Sequence, residues 1–201
     1  MKGHGNGRDE PVRPRLSGRR VSAFFSGFRG RMLDVGCPRG GLRKFLPPEA
    51  EYVGADMMAE GFPTAVRVDL NEPALPFPSA TFDAVVCTAT LEHVFYPLEL
   101  LREMARVLKD DGRGLFSLPN DHGLSGMVSA VFYPAPSYER QVTGHHRRFD
   151  LKSARDFIGH EFIIERESRH FGPLYDRYLW FLKRGPLCTE LMMFGRKRPR
   201  G

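Results

Sequence analysis

The sequence predicts an α/β protein with a doubly wound, mainly parallel sheet and helices on both faces. Two observations predict it. Short apolar runs bounded by Gly, Pro and Asp recur along the chain, and segments of helical period lie between several of them. Strands that alternate with helices form a parallel sheet whose faces the helices cover. A third observation locates the chemistry. Acidic residues stand at or near the ends of the first three runs, at Asp34, Asp56 and Asp69, where open α/β sheets bind their ligands.

The elements follow in order. Val21–Phe28 is an apolar piece expected to form a helix over a sheet edge. Met32–Val35 reads as a buried strand that ends in a Gly-rich turn. A helix is expected from about Gly41 to Leu46, stopped by Pro47-Pro48. Tyr52–Asp56 and Ala65–Asp69 are the second and third strands. Residues 71–81 are broken by Pro73, Pro76 and Pro78 and cannot hold a helix. Phe82–Cys87 is the fourth strand. Residues 97–108 place apolar side chains at 98, 100, 101, 104, 107 and 108, a helical period, and Asp110-Asp111-Gly112 is expected to end that helix. Gly114–Leu118 is the fifth strand. Asp150 is expected to cap a helix over Leu151–Ile158. Phe162–Glu165 is the sixth strand, Pro173–Leu182 an aromatic-rich helix, and Glu190–Phe194 the seventh strand.

The 201 residues fit a basic N-terminal tail over 1–17 and one domain over 18–201. No apolar run approaches a membrane span, and the first residues lack the apolar core of a secretory signal. Cys37, Cys87 and Cys188 show no paired spacing, which argues against a disulfide framework or a metal site and points to a cytoplasmic setting. The net charge of +6 is concentrated at the ends. Residues 1–31 hold eight Lys/Arg against two Asp/Glu, and residues 196–200 add four cations, so the body is net acidic. Such ends either hold an acidic partner or are simply solvated; they carry no interleaved aromatics and no nucleic-acid module.

Three motifs carry the chemistry. In Met32-Leu-Asp-Val-Gly-Cys-Pro-Arg-Gly-Gly41 the glycines allow a tight turn and close approach of a ligand. Asp34 in the same stretch sets a carboxylate where a ligand ammonium group is favoured. Asp56 ends Tyr52-Val-Gly-Ala-Asp, where a carboxylate accepts from ribose hydroxyls. Asp69-Leu70 pairs an acceptor for an adenine amino group with an apolar side chain for the ring face. The alternative role for each Asp is that of a turn residue.

These stretches, followed by PFPSATFDAVVCTATLEHV and LLREMARVLKDDGRGLFSLPN, resemble the class I S-adenosylmethionine (SAM)-dependent methyltransferases, closest to the UbiE/UbiG-like "type 11" branch. The resemblance runs from about residue 31 to 120, with a weaker match over His145–Phe157. It implies a Rossmann-like, seven-stranded sheet with its last strand antiparallel, SAM as cofactor and S-adenosylhomocysteine as product. It further implies that Gly36, Cys37 and Gly40 wrap the methionine portion and that Asp34 lies near its amino group. Asp56 would bind the ribose with Met57 on the adenine, Asp69 would meet the adenine amino group beside Leu70, and Thr88 would close over the sulfonium. A dinucleotide fits less well: it needs glycine at 36, 38 and 41, and Asp34 would repel a pyrophosphate.

Methyl transfer is an in-line displacement governed by alignment and exclusion of water. His93 and His146 are the candidate bases; each has an alternative role as an ordinary backbone-bonded or solvated histidine. Residues 120–150, long and aromatic, read as a lid or acceptor-binding segment. The aromatic residues of 171–182 fit packing against the sheet, an acceptor wall or a dimer face. Three functions are open at this point: methylation of a small molecule, methylation of RNA or protein through the basic ends, and a SAM-binding domain that no longer catalyses. A monomer and a homodimer are equally compatible.

The family's Gly-x-Gly-x-Gly pattern has Pro38 at its middle position, which removes a donor and fixes φ. Pro38→Gly is expected to leave the fold intact and to bind SAM at least as tightly as the parent. Calorimetric titration checks this; markedly weaker binding by the variant would reject it.

Overall fold

In the computed structural model, residues 21, 23–37, 39–72, 74–121, 123, 146–170 and 188–199 are described. They form one seven-stranded sheet: β1 Gly30–Val35, β2 Ala50–Asp56, β3 Ala65–Arg67, β4 Phe82–Thr88, β5 Leu108–Pro119, β6 Phe162–His170 and β7 Glu190–Lys197. The strand order is β3-β2-β1-β4-β5-β7-β6. The first five strands pair in parallel, and β7 runs antiparallel between β5 and β6. The sheet thus grows one way from β1 through β2 and β3, then the other way from β4. The order reverses between β1 and β4, which opens a crevice at their carboxyl ends.

The central strands are buried on both faces, as their apolar runs require. Leu33, Val35, Val85, Cys87 and Phe116 face one cluster with Leu101, Met104 and Ile158. Met32, Tyr52, Ala84, Val86, Leu115 and Met192 face a smaller one with Val21, Phe25 and Leu42. Among the described residues two α-helices cover the larger cluster. The first, α1, spans Pro97–Val107 and starts on proline, whose fixed φ and missing N–H suit a first helical position. The second, α2, spans Leu151–Gly159. Asp150 caps it as expected, accepting from the Ser153 N–H at 2.6 Å while the Ser153 hydroxyl accepts from the Asp150 N–H at 2.9 Å.

Several elements differ from the sequence expectation. Of the helix expected over 21–28, Val21 is helical and Ala23–Phe25 form a 3-10 turn, while the one after β1 shortens to a 3-10 turn at Arg43–Phe45. The segment between Gly36 and Pro47 holds too few residues free of turn formers for a longer helix. Asp110-Asp111-Gly112 does not sit between helix and strand; it lies inside β5. Phe82 pairs with Leu108 and Ala84 with Arg113, so the residues between bulge out of the ladder. The Pro173–Leu182 helix, the N-terminal tail, Pro38 and residues 124–145 of the expected lid lie outside the described residues. Arg196 and Lys197 are not tail residues: they belong to β7, 3.5 Å from Glu165 and 2.9 Å from Asp110. Among the described residues no helix is long and apolar enough to cross a membrane.

The irregular connection into β4 is held by a side-chain clamp. Arg106 on α1 donates to the carbonyls of Leu75 and Phe77 at 3.1 and 2.9 Å, and two of its nitrogens grip Glu103 at 2.7 Å each. Glu103 in turn accepts from the Leu75 N–H at 2.8 Å. The Arg106 hydrogen bonds, opposed only in part by burial, hold the Glu103 carboxyl below the ordinary glutamate range. Glu103→Gln should therefore lower stability at pH 7 by about 1–2 kcal/mol. A depressed carboxylate stabilises the fold above its unfolded pKa and loses that effect as pH falls, so the deficit of the variant should shrink below pH 4.5, the ordinary value. Urea unfolding of both proteins across that range measures it.

Candidate functional site

The crevice at the β1–β4 reversal is an open cleft of about 260 Å³ lined by Gly36, Asp56, Met57, Asp69, Leu70, Asn71, Thr90, His93 and Val94. Its floor is the turn after β1. Gly36 has φ +81°, a conformation glycine adopts without strain, and a β-carbon there would fall 2.0 Å from Thr90 Oγ1. Thr90 is fixed in turn, its hydroxyl 3.0 Å from the Thr88 carbonyl and 3.5 Å from the Val35 carbonyl. The ends of β1 and β4 therefore touch through one missing side chain.

One wall carries two carboxylates held in the same way. Asp56 Oδ1 accepts from the Met58 N–H at 2.8 Å. Asp69 Oδ1 accepts from the Asn71 N–H at 2.9 Å and from its side-chain amide at 3.1 Å. Each acid is pinned by one oxygen through a local turn bond. Among the described residues the second oxygen of each has no hydrogen-bond partner, and both acids border the cleft. The wall also has apolar surface from Leu70 and the half-exposed Met57. Val94 and His93 complete the lining, the latter 3.9 Å through Nε2 from Glu92 Oε1.

Of the residues singled out in the sequence, Gly36, Asp56, Met57, Asp69, Leu70 and His93 thus share one cleft. Asp34, Cys37, Gly40 and Thr88 do not line it. Asp34 is buried, and its Oδ2 accepts from the Tyr52 hydroxyl at 2.6 Å. Burial first, then the Asp34 charge, pushes the Tyr52 phenol well up, so it remains a donor. The same two causes, in the same order, raise the Cys37 thiol, whose Sγ donates to the Asp34 carbonyl at 3.0 Å. Cys37 is therefore a packed thiol and not a nucleophile. Gly40 has φ +58° beneath the Phe62 ring, and Thr88 meets Thr90 through its carbonyl. His146 sits outside the lining, its ring tilted 32° against the exposed Phe95 ring at 4.3 Å between centroids. Its N–H donates to the Glu92 carbonyl at 2.7 Å.

Sequence reasoning missed Thr90, Asn71 and Val94 in the lining and Tyr52 behind it. Asn71 alone had a readable signal: an Asn two positions after a strand-end Asp is an expected Asx-turn partner. The chemistry on offer is acceptance of hydrogen bonds from a polyhydroxylated, amino-bearing ligand, with apolar surface for a ring and an imidazole in the same lining.

The chain matches the model of the family described as "Methyltransferase domain" over residues 33–116. It is 33% identical over 171 residues to the ubiquinone biosynthesis O-methyltransferase of Aliivibrio fischeri (strain MJ11), covering 75% of this chain and 72% of that protein. The protein of the same name from Klebsiella pneumoniae (strain 342) is 32% identical over 118 residues, covering 52% of this chain and 48% of the relative. The chain spans about half the length of the first curated relatives it matches. Among solved structures, it is similar to a SAM-dependent methyltransferase from Archaeoglobus fulgidus, with TM-score 0.64 and 18% identity over 90% of each chain. One from Mesorhizobium loti gives TM-score 0.61 and 17% identity over 88% of this chain and 95% of that one. At these identities the structural likeness shows the fold.

Gly36→Ala puts a β-carbon against Thr90 and forces an unfavourable φ. It is expected to cost about 2 kcal/mol or more. Thermal unfolding beside Gly41→Ala, where a β-carbon meets nothing within 4 Å, provides the measurement and its control.

Proposed function

Because the chain belongs to the class I SAM-dependent methyltransferase family of the UbiE/UbiG type, we propose that it transfers a methyl group from SAM to a hydroxyl oxygen of a small-molecule acceptor. One observation carries the reading: Asp56 and Asp69 are each fixed through one oxygen, the other has no hydrogen-bond partner among the described residues, and both residues line the same cleft. A ribose diol and an adenine amino group are the donors such a pair fits. Gly36 leaves room for the amino-acid end at the floor, and Leu70 and Met57 supply apolar surface for the base. The residues present fit the cofactor.

When bound, SAM supplies an electrophilic methyl carbon on sulfur, and S-adenosylhomocysteine leaves after transfer. The protein's part is alignment and proton handling. Gly36 and Thr90 set the depth to which the cofactor enters, while Asp56 and Asp69 fix its direction. His93, across the cleft, takes the proton of the acceptor hydroxyl as the new oxygen–carbon bond forms. Its Nε2 lies 3.9 Å from Glu92 Oε1. Oxygen as the accepting atom, and a small acceptor, are supported by the relatives named as O-methyltransferases of ubiquinone biosynthesis.

Asp56→Ala removes an acceptor for two hydroxyls and should weaken SAM binding about 10- to 100-fold, the scale of one or two hydrogen bonds to a charged group. Asp69→Ala should weaken it less. His93→Gln should leave S-adenosylhomocysteine affinity within about twofold and lower turnover of hydroxylated aromatic acceptors about 100-fold. Calorimetry and transfer of labelled methyl groups read these effects. Unchanged SAM affinity in both Asp variants would remove the cofactor assignment, and unchanged turnover in the His93 variant would remove the base.

A further inference from the structure

Asn71 bridges the two walls of the cleft. Its backbone N–H and side-chain Nδ2 both donate to Asp69 Oδ1, at 2.9 and 3.1 Å. Its Oδ1 accepts from the Phe95 N–H at 2.8 Å, across 24 positions of sequence. Only one orientation of the amide satisfies both ends. Flipped, it would set an NH2 group against the Phe95 N–H and a carbonyl against the Asp69 carboxylate. The chain of contacts continues beyond Phe95. The Phe95 ring meets the His146 ring in a tilted contact at 4.3 Å, and the backbone N–H groups of His146 and Arg147 donate to the Glu92 carbonyl at 2.7 and 3.3 Å. Phe95 follows directly on Val94 and the Leu91–His93 turn, the wall that carries the imidazole. One side chain thus ties the carboxylate on the base-binding side to the peptide that sets the opposite wall.

We propose that Asn71 is a positioning residue that transmits cofactor binding to the acceptor side of the cleft; this rests on the cofactor reading above. Without ligand, Asp69 is already held through Oδ1 by Asn71, and Asn71 already holds the Phe95 N–H. Ligation of the second Asp69 oxygen by the adenine end takes up the freedom that remains, and the Asn71 amide carries the added restraint to the Phe95 peptide through hydrogen bonds of defined polarity. The expected consequence is that the Leu91–Phe95 segment opens less often once the cofactor is in place.

The test uses the whole chain with S-adenosylhomocysteine as ligand and amide hydrogen exchange at Phe95 read by NMR. In the parent, saturating ligand should slow exchange at Phe95 at least about fivefold. Asn71→Asp keeps an acceptor for the Phe95 N–H but sets a second carboxylate against Asp69. It should retain the unliganded protection and lose the ligand-induced increment, even at ligand concentrations that saturate the weakened site. Asn71→Ala should lose both. A merely structural role would lower protection in the variants without abolishing the response to ligand. Ligand that binds the parent but leaves Phe95 unchanged overturns the coupling alone, as does an undiminished increment in Asn71→Asp. Failure of the parent to bind S-adenosylhomocysteine overturns the cofactor reading and the coupling with it.

Discussion

The cleft exists because Gly36 and Thr90 meet where a β-carbon does not fit. Sheet order reverses between β1 and β4, so the chain leaves these two strands in opposite directions, and their end turns are the natural walls of a crevice. For the walls to close at the floor, the turn after β4 must come back over the end of β1. Ala89 makes that bend at φ +48°, an unusual value for a residue with a side chain. Its N–H is held by the Ser117 hydroxyl at 3.1 Å and the Ser117 carbonyl at 3.3 Å, on the next strand. The strained bend is thus fixed from β5, and Thr90, His93 and Val94 are placed by it. The missing side chain at 36 and the strained one at 89 are two halves of a single constraint.

Strand pleating sorts the acidic residues into different jobs. Side chains at alternate positions share a face, so Met32 and Asp34 on β1 lie on the face of Tyr52, Gly54 and Asp56 on β2, with Asp34 paired opposite Gly54. Asp34 falls within the sheet, where its neighbour two positions back on β2 is Tyr52, and it is consumed by that phenol. Asp56 falls on the last residue of β2, beyond the packed layer. Asp69 lies past the end of β3 altogether. Burial decides the outcome: an acid inside the layer must find a protein donor, whereas one at the rim is left with an oxygen to offer.

The strand pattern was legible because period and punctuation are local. Each strand expected from the sequence overlaps an observed one, and Asp150 was readable as a cap because an Asp directly before a helical segment is a preferred N-cap. The bulge in β5 was not legible. Asp110-Asp111-Gly112 has the composition of a turn, and it does turn, but out of a ladder whose continuation depends on Phe82 of β4 pairing with Leu108. The Tyr52–Asp34 bond and the Asn71–Phe95 bond were hidden for the same reason. They join residues 18 and 24 positions apart, and nothing in either local sequence names its partner. Strand ends announce carboxylates; which carboxylate faces a ligand is settled by neighbours on other strands.

The short turn after β1 changes where affinity comes from. A long helix starting at the glycine turn would present free N–H groups and a substantial dipole to the ligand. Here the helical residues are Arg43–Phe45 alone, too few aligned peptides for a macrodipole of consequence. The positive end of such a dipole is largely missing, and in the proposed reading the carboxylates that end the second strand and follow the third orient the ligand instead. Their attachment is correspondingly firm, because both Asx turns are closed by backbone N–H donors and Asp69 has a side-chain donor as well. On that reading the cleft discriminates by hydrogen-bond geometry at the nucleoside end rather than by field strength at the amino-acid end. The pinning of one carboxylate oxygen on each acid is what makes such discrimination possible, since an acid free to rotate would accept a donor from any direction.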